Sequence, residues 1–311
     1  MPKRPRAVPF FLLALACFLP WVGPGAALAA GIAFSLLLGN PNPSRTALWS
    51  KWLLQGSVVG LGFGLSLGTV LGVGASSAGI TAVGIGATLA AGWLLGRVTG
   101  TSGAVSTLIS FGTAICGGSA IAAMAPVIRA KTDEIAISLA TVFTLNASAL
   151  VLFPAVGHAL HLGPRAFGLW ASLAIHDVSS VVGAASSFGP EALAVATTVK
   201  LTRALWIMPC TLAAALATRS GGKVTFPWFV AGFLGAATLR TLLPQLGPVW
   251  ALAVAAARQT LVLTLYLIGT GLTRDVLRRV GLRPLAHGLA LWVLVAGATL
   301  WSIVSGVLSL P

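Results

Sequence analysis

The sequence predicts an all-α polytopic membrane protein, and three observations carry that prediction. Charged residues make up only 8% of the 311 positions, where a soluble domain carries about 25%. Hydrophobic residues make up 57%, and they fall in long runs separated by short turns. The 37 Gly and 17 Pro fit the same class, because both are commoner in membrane helices than in soluble ones. A soluble enzyme is therefore excluded. At roughly 25 to 30 residues per span and turn, the chain has room for about ten or eleven spans. The expectation is one transmembrane domain over 1–311 with no folded soluble appendage.

In order, the apolar segments run 8–22, 24–39, 52–71, 78–96, 103–128, 134–155, 166–188, 192–217, 227–244, 249–272 and 286–308. The first follows Lys3, Arg4 and Arg6, and Ala27-Leu28-Ala29 resembles a signal-peptidase site. Cleavage would leave Gly31 to Gly39, which is too short to span alone, so an uncleaved first helix is expected. The net charge of +14 sits mainly in loops, where basic residues set orientation. With the basic N-terminus in the cytoplasm, Arg45, Lys51, Arg97, Arg219, Lys223, Arg274, Arg278, Arg279 and Arg283 share that side. The uncharged 72–79 stretch reads as a turn on the other side. Nucleic acid is excluded as the partner of this charge. Cys17, Cys116 and Cys210 show no pairable or metal-binding spacing, and no cofactor is expected.

Two weak internal repeats are present. Residues 62–74 align with 269–281 at five of thirteen positions, and 114–125 align with 174–185 at four of twelve. Seven segments separate the first pair, so its copies would run in opposite directions, as in secondary transporters. The second pair would be parallel if its segments span and inverted if they are re-entrant.

The second pair covers two segments predicted to be interrupted, near 103–130 and 166–188, as spanning or re-entrant helices. Gly117 and Gly118 are adjacent, each costing a helix about 1 kcal/mol relative to Ala. A break there would expose N–H groups that, with Cys116 and Ser119, could cradle an anion; close helix packing is the plainer alternative. In the partner segment, His176, Asp177, Ser179 and Ser180 stand between apolar runs. Asp177 is the acid placed deep in the membrane, since Asp133, Glu134, Glu191 and Asp275 lie at segment ends. A buried Asp costs about 2.5–3.5 kcal/mol on insertion scales, and His176 titrates near neutral pH. Both are candidates for proton coupling. Histidines 158, 161 and 287 read as interfacial.

In the next segment, Lys200 lies nine residues past Glu191, about 13 Å along a helix, and Arg203 shares its face. These two cations are candidates to hold an anionic substrate. The alternative is a structural Asp177–Arg203 pair with Lys200 reaching for carbonyls. Arg240 and Arg258 are expected to snorkel. Asn146 could add an amide donor or serve helix packing.

These residues resemble the YeiH-type sulfate exporter family of bacterial inner-membrane proteins. The likeness rests on Ser110-Phe111-Gly112-Thr113-Ala114-Ile115-Cys116-Gly117-Gly118-Ser119-Ala120, on Phe167-Gly168-Leu169-Trp170 with Ile175-His176-Asp177, and on Lys200-Leu201-Thr202-Arg203 followed by Pro209. Pro227-Trp228-Phe229 also agrees, while Gln55 stands where the family more often has a basic residue. The resemblance spans about 30 to 308 and implies a transporter related to bile-acid-symporter and cation/proton-antiporter folds. It further implies sulfate export, and with the buried cations the expected substrate is a small oxyanion: sulfate, sulfite or an organosulfonate. A cation/proton antiporter, an intramembrane enzyme and a membrane scaffold are the competing readings. Expected partners are a small anion and the bilayer, with a homodimer left open.

Overall fold

The computed structural model describes residues 7–19, 21–218, 228–271 and 281–308. Every regular element among them is helical. In chain order these are α1 (Ala7–Ala16), α2 (Pro24–Leu38), α3 (Pro43–Gly62), α4 (Leu67–Thr99), α5 (Gly103–Ala114), α6 (Gly118–Val127), α7 (Thr132–Ala159), α8 (Pro164–Ala174), α9 (Val178–Phe188), α10 (Pro190–Leu205), α11 (Ile207–Thr218), α12 (Trp228–Leu242), α13 (Gly247–Gly271) and α14 (Leu282–Val304). Five helical stretches among the described residues are long and apolar enough to cross a bilayer: 67–99, 133–159, 190–217, 244–271 and 282–304.

Helix starts follow local chemistry. Proline takes the first turn of α2, α3, α8 and α10, where its missing N–H costs nothing. Asn42 caps α3 by accepting from the Arg45 N–H at 3.3 Å. Glu134 reaches back to the Lys131 N–H at 2.8 Å at the start of α7.

The described residues cluster into two compact units: residues 1–71 with 228–277, and residues 72–227 with 278–311. In the first unit α13 packs closely on α2. A Cβ on Gly269 would stand 2.5 Å from the Leu28 carbonyl oxygen, so only a glycine allows this approach. Tyr266 donates its hydroxyl to the Phe10 carbonyl at 3.0 Å and packs with Phe10 and Phe34 in a buried cluster.

In the second unit α8 and α10 meet through Leu169, Leu173, Val195 and Val199. Gly92 and Gly96 of α4 face Ser110 and Ser106 of α5, with no room for a Cβ at either glycine.

Two expectations need correction. Residues 72–79 are no turn but lie inside α4; small residues suit a packed membrane helix as well as a loop. The uncharged turn falls instead at 63–66, where the Ser66 hydroxyl accepts from the Thr69 N–H at 3.2 Å. His287 is not interfacial. It is fully buried, because Gly96 leaves space for its ring, and its Nε2 lies 3.5 Å from the Ser110 hydroxyl. His158 and His161 are exposed. Of the repeat at 269–281, residues 272–280 lie outside the described residues, as do Arg219, Lys223, Pro227, Arg274, Asp275, Arg278 and Arg279.

Candidate functional site

Helix α5 stops at Ala114 and α6 resumes at Gly118. Ile115 leaves helical geometry, and Gly117 takes φ +66° and ψ −127°, a conformation that favours glycine. The Gly117 N–H closes the turn on the Gly112 carbonyl at 2.8 Å. Helix α8 stops at Ala174 and α9 resumes at Val178, with Ile175 and Asp177 extended between them. In the alignment of 114–125 with 174–185, both ends of each break fall at matching positions. The breaks also touch: a Cβ on Gly117 would stand 2.8 Å from the Asp177 Cβ.

A broken helix leaves carbonyls without partners at its first half's end and N–H groups at its second half's start. The two cations of α10 answer the carbonyls. Lys200 Nζ donates to the Ile175 oxygen at 2.6 Å and the Ser172 oxygen at 3.3 Å. Arg203 donates to the Leu173 oxygen at 2.6 Å, and its other terminal nitrogen to the Ala114 oxygen. One guanidinium thus joins the C-terminal ends of α5 and α8. Both side chains are fully or almost fully buried. Placing positive charge at these helix ends also offsets their negative dipoles.

The other ends differ from each other. Asp177 caps α9, accepting from the Ser180 N–H at 3.2 Å and from the Ser179 hydroxyl. At α6 the capping position is Gly117, which offers no side chain. The Asp177–Arg203 pair weighed from the sequence does not form. The ion pair among the described residues is Arg165–Glu191, at 2.8 Å and exposed.

Asn146, on α7, is buried and aimed at the second break. Its Oδ1 accepts the His176 backbone N–H at 3.2 Å and lies 3.1 Å from His176 Nδ1. Because the backbone N–H can only donate, this atom must be the oxygen, and Nδ1 must then carry a hydrogen. The Nε2 atom of neutral His176 is therefore a bare acceptor.

The predicted residues are placed unevenly. Cys116 is buried within the first break, Gly118 is half-buried and Ser119 is exposed. Ser179 is committed to Asp177 through its hydroxyl and Ser180 through its backbone N–H, and terminal donors of Lys200 and Arg203 go to carbonyls. Among the described residues, several buried polar atoms have no hydrogen-bond partner: Thr113 Oγ1, Asn146 Nδ2, His176 Nε2 and Arg203 Nε at the breaks or on side chains bonded to them, and Thr197 Oγ1 one turn before Lys200. Thr113 and Thr197 stand in the two stretches singled out from the sequence, but neither is among the site residues expected there. Thr197 could have been found, since it lies three residues before Lys200 and so on the same helix face.

Apolar helices, two of them broken where they touch and stitched by buried cations, define a polytopic helical membrane protein. The chain belongs to the family described as Conserved hypothetical protein 698, whose model matches residues 25–288. It is 56% identical over 294 residues to a UPF0324 membrane protein of Geobacter sulfurreducens, covering 94% of this chain and 95% of that one. A UPF0324 membrane protein of Bdellovibrio bacteriovorus is 49% identical over 306 residues, covering 96% and 94%. One from Bacteroides thetaiotaomicron is 48% identical over 286 residues, covering 90% and 86%. No solved structure matches the chain.

Proposed function

We propose that the chain is a secondary transporter of the bacterial inner membrane that moves a small oxyanion, sulfate or sulfite first, by proton-coupled alternating access. The observation that carries this reading is the set of buried, unpartnered polar atoms. Arg203 Nε and Asn146 Nδ2 can only donate, and the hydroxyls of Thr113 and Thr197 are able to. Buried donors without acceptors call for a ligand that brings oxygen lone pairs. Two cations against one half-buried carboxylate leave a positive surplus, which an anion would balance. The matching breaks support an inverted-repeat transporter, as does the resemblance to the sulfate exporter family. In this reading Lys200 and Arg203 act mainly by holding the broken helices open and supplying the field. His176 Nε2 is the bare acceptor that takes the coupled proton.

The test is labelled sulfate and sulfite flux in proteoliposomes, with and without a pH gradient, for wild type, Thr113→Val and Thr197→Val. Each substitution removes an unpartnered hydroxyl from a side chain of similar shape, so stability should change by less than about 1 kcal/mol. Flux should fall in both variants. Wild-type flux in both would remove these donors from the site, and flux indifferent to pH in the wild type would remove the proton.

A further inference from the structure

Among its described residues, the first unit holds a second concentration of uncompensated charge. An open cleft of ≈ 600 Å³ is lined by Phe63, Trp250, Val254, the half-buried Arg240, the exposed Arg258 and Gln259, among others. That volume lies within the range of small-molecule sites, about 300–1,000 Å³. Its long wall is one face of α13, running from Gly247 through Trp250 and Val254 to Arg258 at helical spacing. Arg240 enters from the last turn of α12.

Snorkelling does not account for Arg258. It stands eleven residues past the start of α13 and thirteen before its end, about 16 Å and 20 Å from the two termini. An arginine at that depth marks a functional site unless it has a partner. No partner is at hand, because the described residues of the first unit include no Asp or Glu. Neither Arg240 nor Arg258 makes an ion pair among the described residues.

The rest of the wall is apolar and held in place. Trp250 donates its indole N–H to the Leu243 carbonyl at 2.9 Å. Its ring stacks on Phe63, with centroids 4.8 Å apart and planes 2° from parallel. The Gln259 side-chain amide is anchored on the Cys17 carbonyl at 2.5 Å. Arginine presents a planar fork suited to carboxylate, phosphate or sulfonate, and the fixed indole offers a flat apolar surface.

We propose that this cleft binds an organic anion bearing two acidic groups on an apolar body, with Arg240 and Arg258 taking the acidic groups and the body lying against Trp250 and Val254. A dianionic lipid and a soluble organic dianion share this chemistry. The proposal is independent of the oxyanion reading above, since it rests on other residues in the other unit.

The experiment uses the full chain purified in detergent and two probes. Cardiolipin is followed by native mass spectrometry against phosphatidylcholine, and naphthalene-1,5-disulfonate by its own fluorescence. Wild type should bind at least one probe. Arg240→Gln and Arg258→Gln should each weaken that binding by about tenfold or more. Lys51→Gln, an exposed charge of the same unit, should change it by less than about twofold. Retention of cardiolipin alone identifies a lipid, and of the disulfonate alone a soluble anion. Arg240→Lys and Arg258→Lys keep the charge but lose the fork, so they should also weaken binding and stand in if the Gln variants do not fold. Failure of both probes to bind wild type, or wild-type affinity in the arginine variants, overturns the proposal.

Discussion

Gly117 and Asp177 begin the second halves of two broken helices and touch one another, leaving 2.8 Å between the Asp177 Cβ and any Cβ built on Gly117. They occupy matching positions in the aligned segments, so the contact joins two like points of one design. It also separates their duties. Gly117 supplies the backbone conformation and the close approach, while Asp177 supplies the carboxylate that caps α9. Gly117→Ala should cost about 1–3 kcal/mol from backbone strain alone, with the displaced Asp177 adding to it. The check is thermal unfolding in detergent, where a melting temperature equal to wild type would contradict the crossing.

Arg203 is bonded to carbonyls from two separate half-helices, so its loss strands acceptors in both. An unsatisfied buried polar group costs about 1–3 kcal/mol. Arg203→Met should therefore destabilise the protein by at least about 2 kcal/mol. Arg165→Ala, which removes the exposed pair with Glu191, should cost less than about 1 kcal/mol. Comparing the two variants by chemical denaturation separates a stitch between broken helices from a surface charge. Equal effects would contradict it.

The interruptions were legible because adjacent glycines and a His-Asp pair stand out against apolar runs. Lys200 and Arg203 were legible for the same reason, since two cations deep in an apolar helix are conspicuous. Their partners were not. Ala114, Ile175 and Leu173 contribute only carbonyl oxygens, which every residue carries, and nothing in a sequence tells a free carbonyl from a bonded one. The start of α4 was misplaced because glycine and serine serve close helix packing and turns alike. His287 was misread because its burial depends on Gly96, nearly two hundred positions away in the chain.

Asn146 fixes the second break through one oxygen that serves both the backbone and the ring of His176. Asn146→Leu removes that acceptor and should cost about 1–3 kcal/mol. It also frees the imidazole to exchange tautomers. Nitrogen-15 spectra of histidine-labelled protein at a pH where the ring is neutral should show the Nδ1–H form for His176 in wild type, and a mixture in the variant. The Nε2–H form in wild type would contradict the assignment and remove the bare acceptor from the proposed proton step.

Gly96 and Ser106 form a close approach between α4 and α5, and no Cβ fits on Gly96 without displacing the Ser106 side chain. The His287 ring closes the same space, its Cε1 lying 3.3 Å from where that Cβ would be. Gly96→Ala should therefore destabilise by about 1–3 kcal/mol through overpacking, despite alanine's better helix propensity. Ser106→Gly vacates the space the new methyl needs. The double variant Gly96→Ala/Ser106→Gly should then be more stable than the sum of the single effects predicts, by about 0.5–3 kcal/mol. A thermodynamic cycle over the four proteins measures this coupling. Simple additivity would show that the helices separate to admit the methyl, and that the glycine is not what sets their distance.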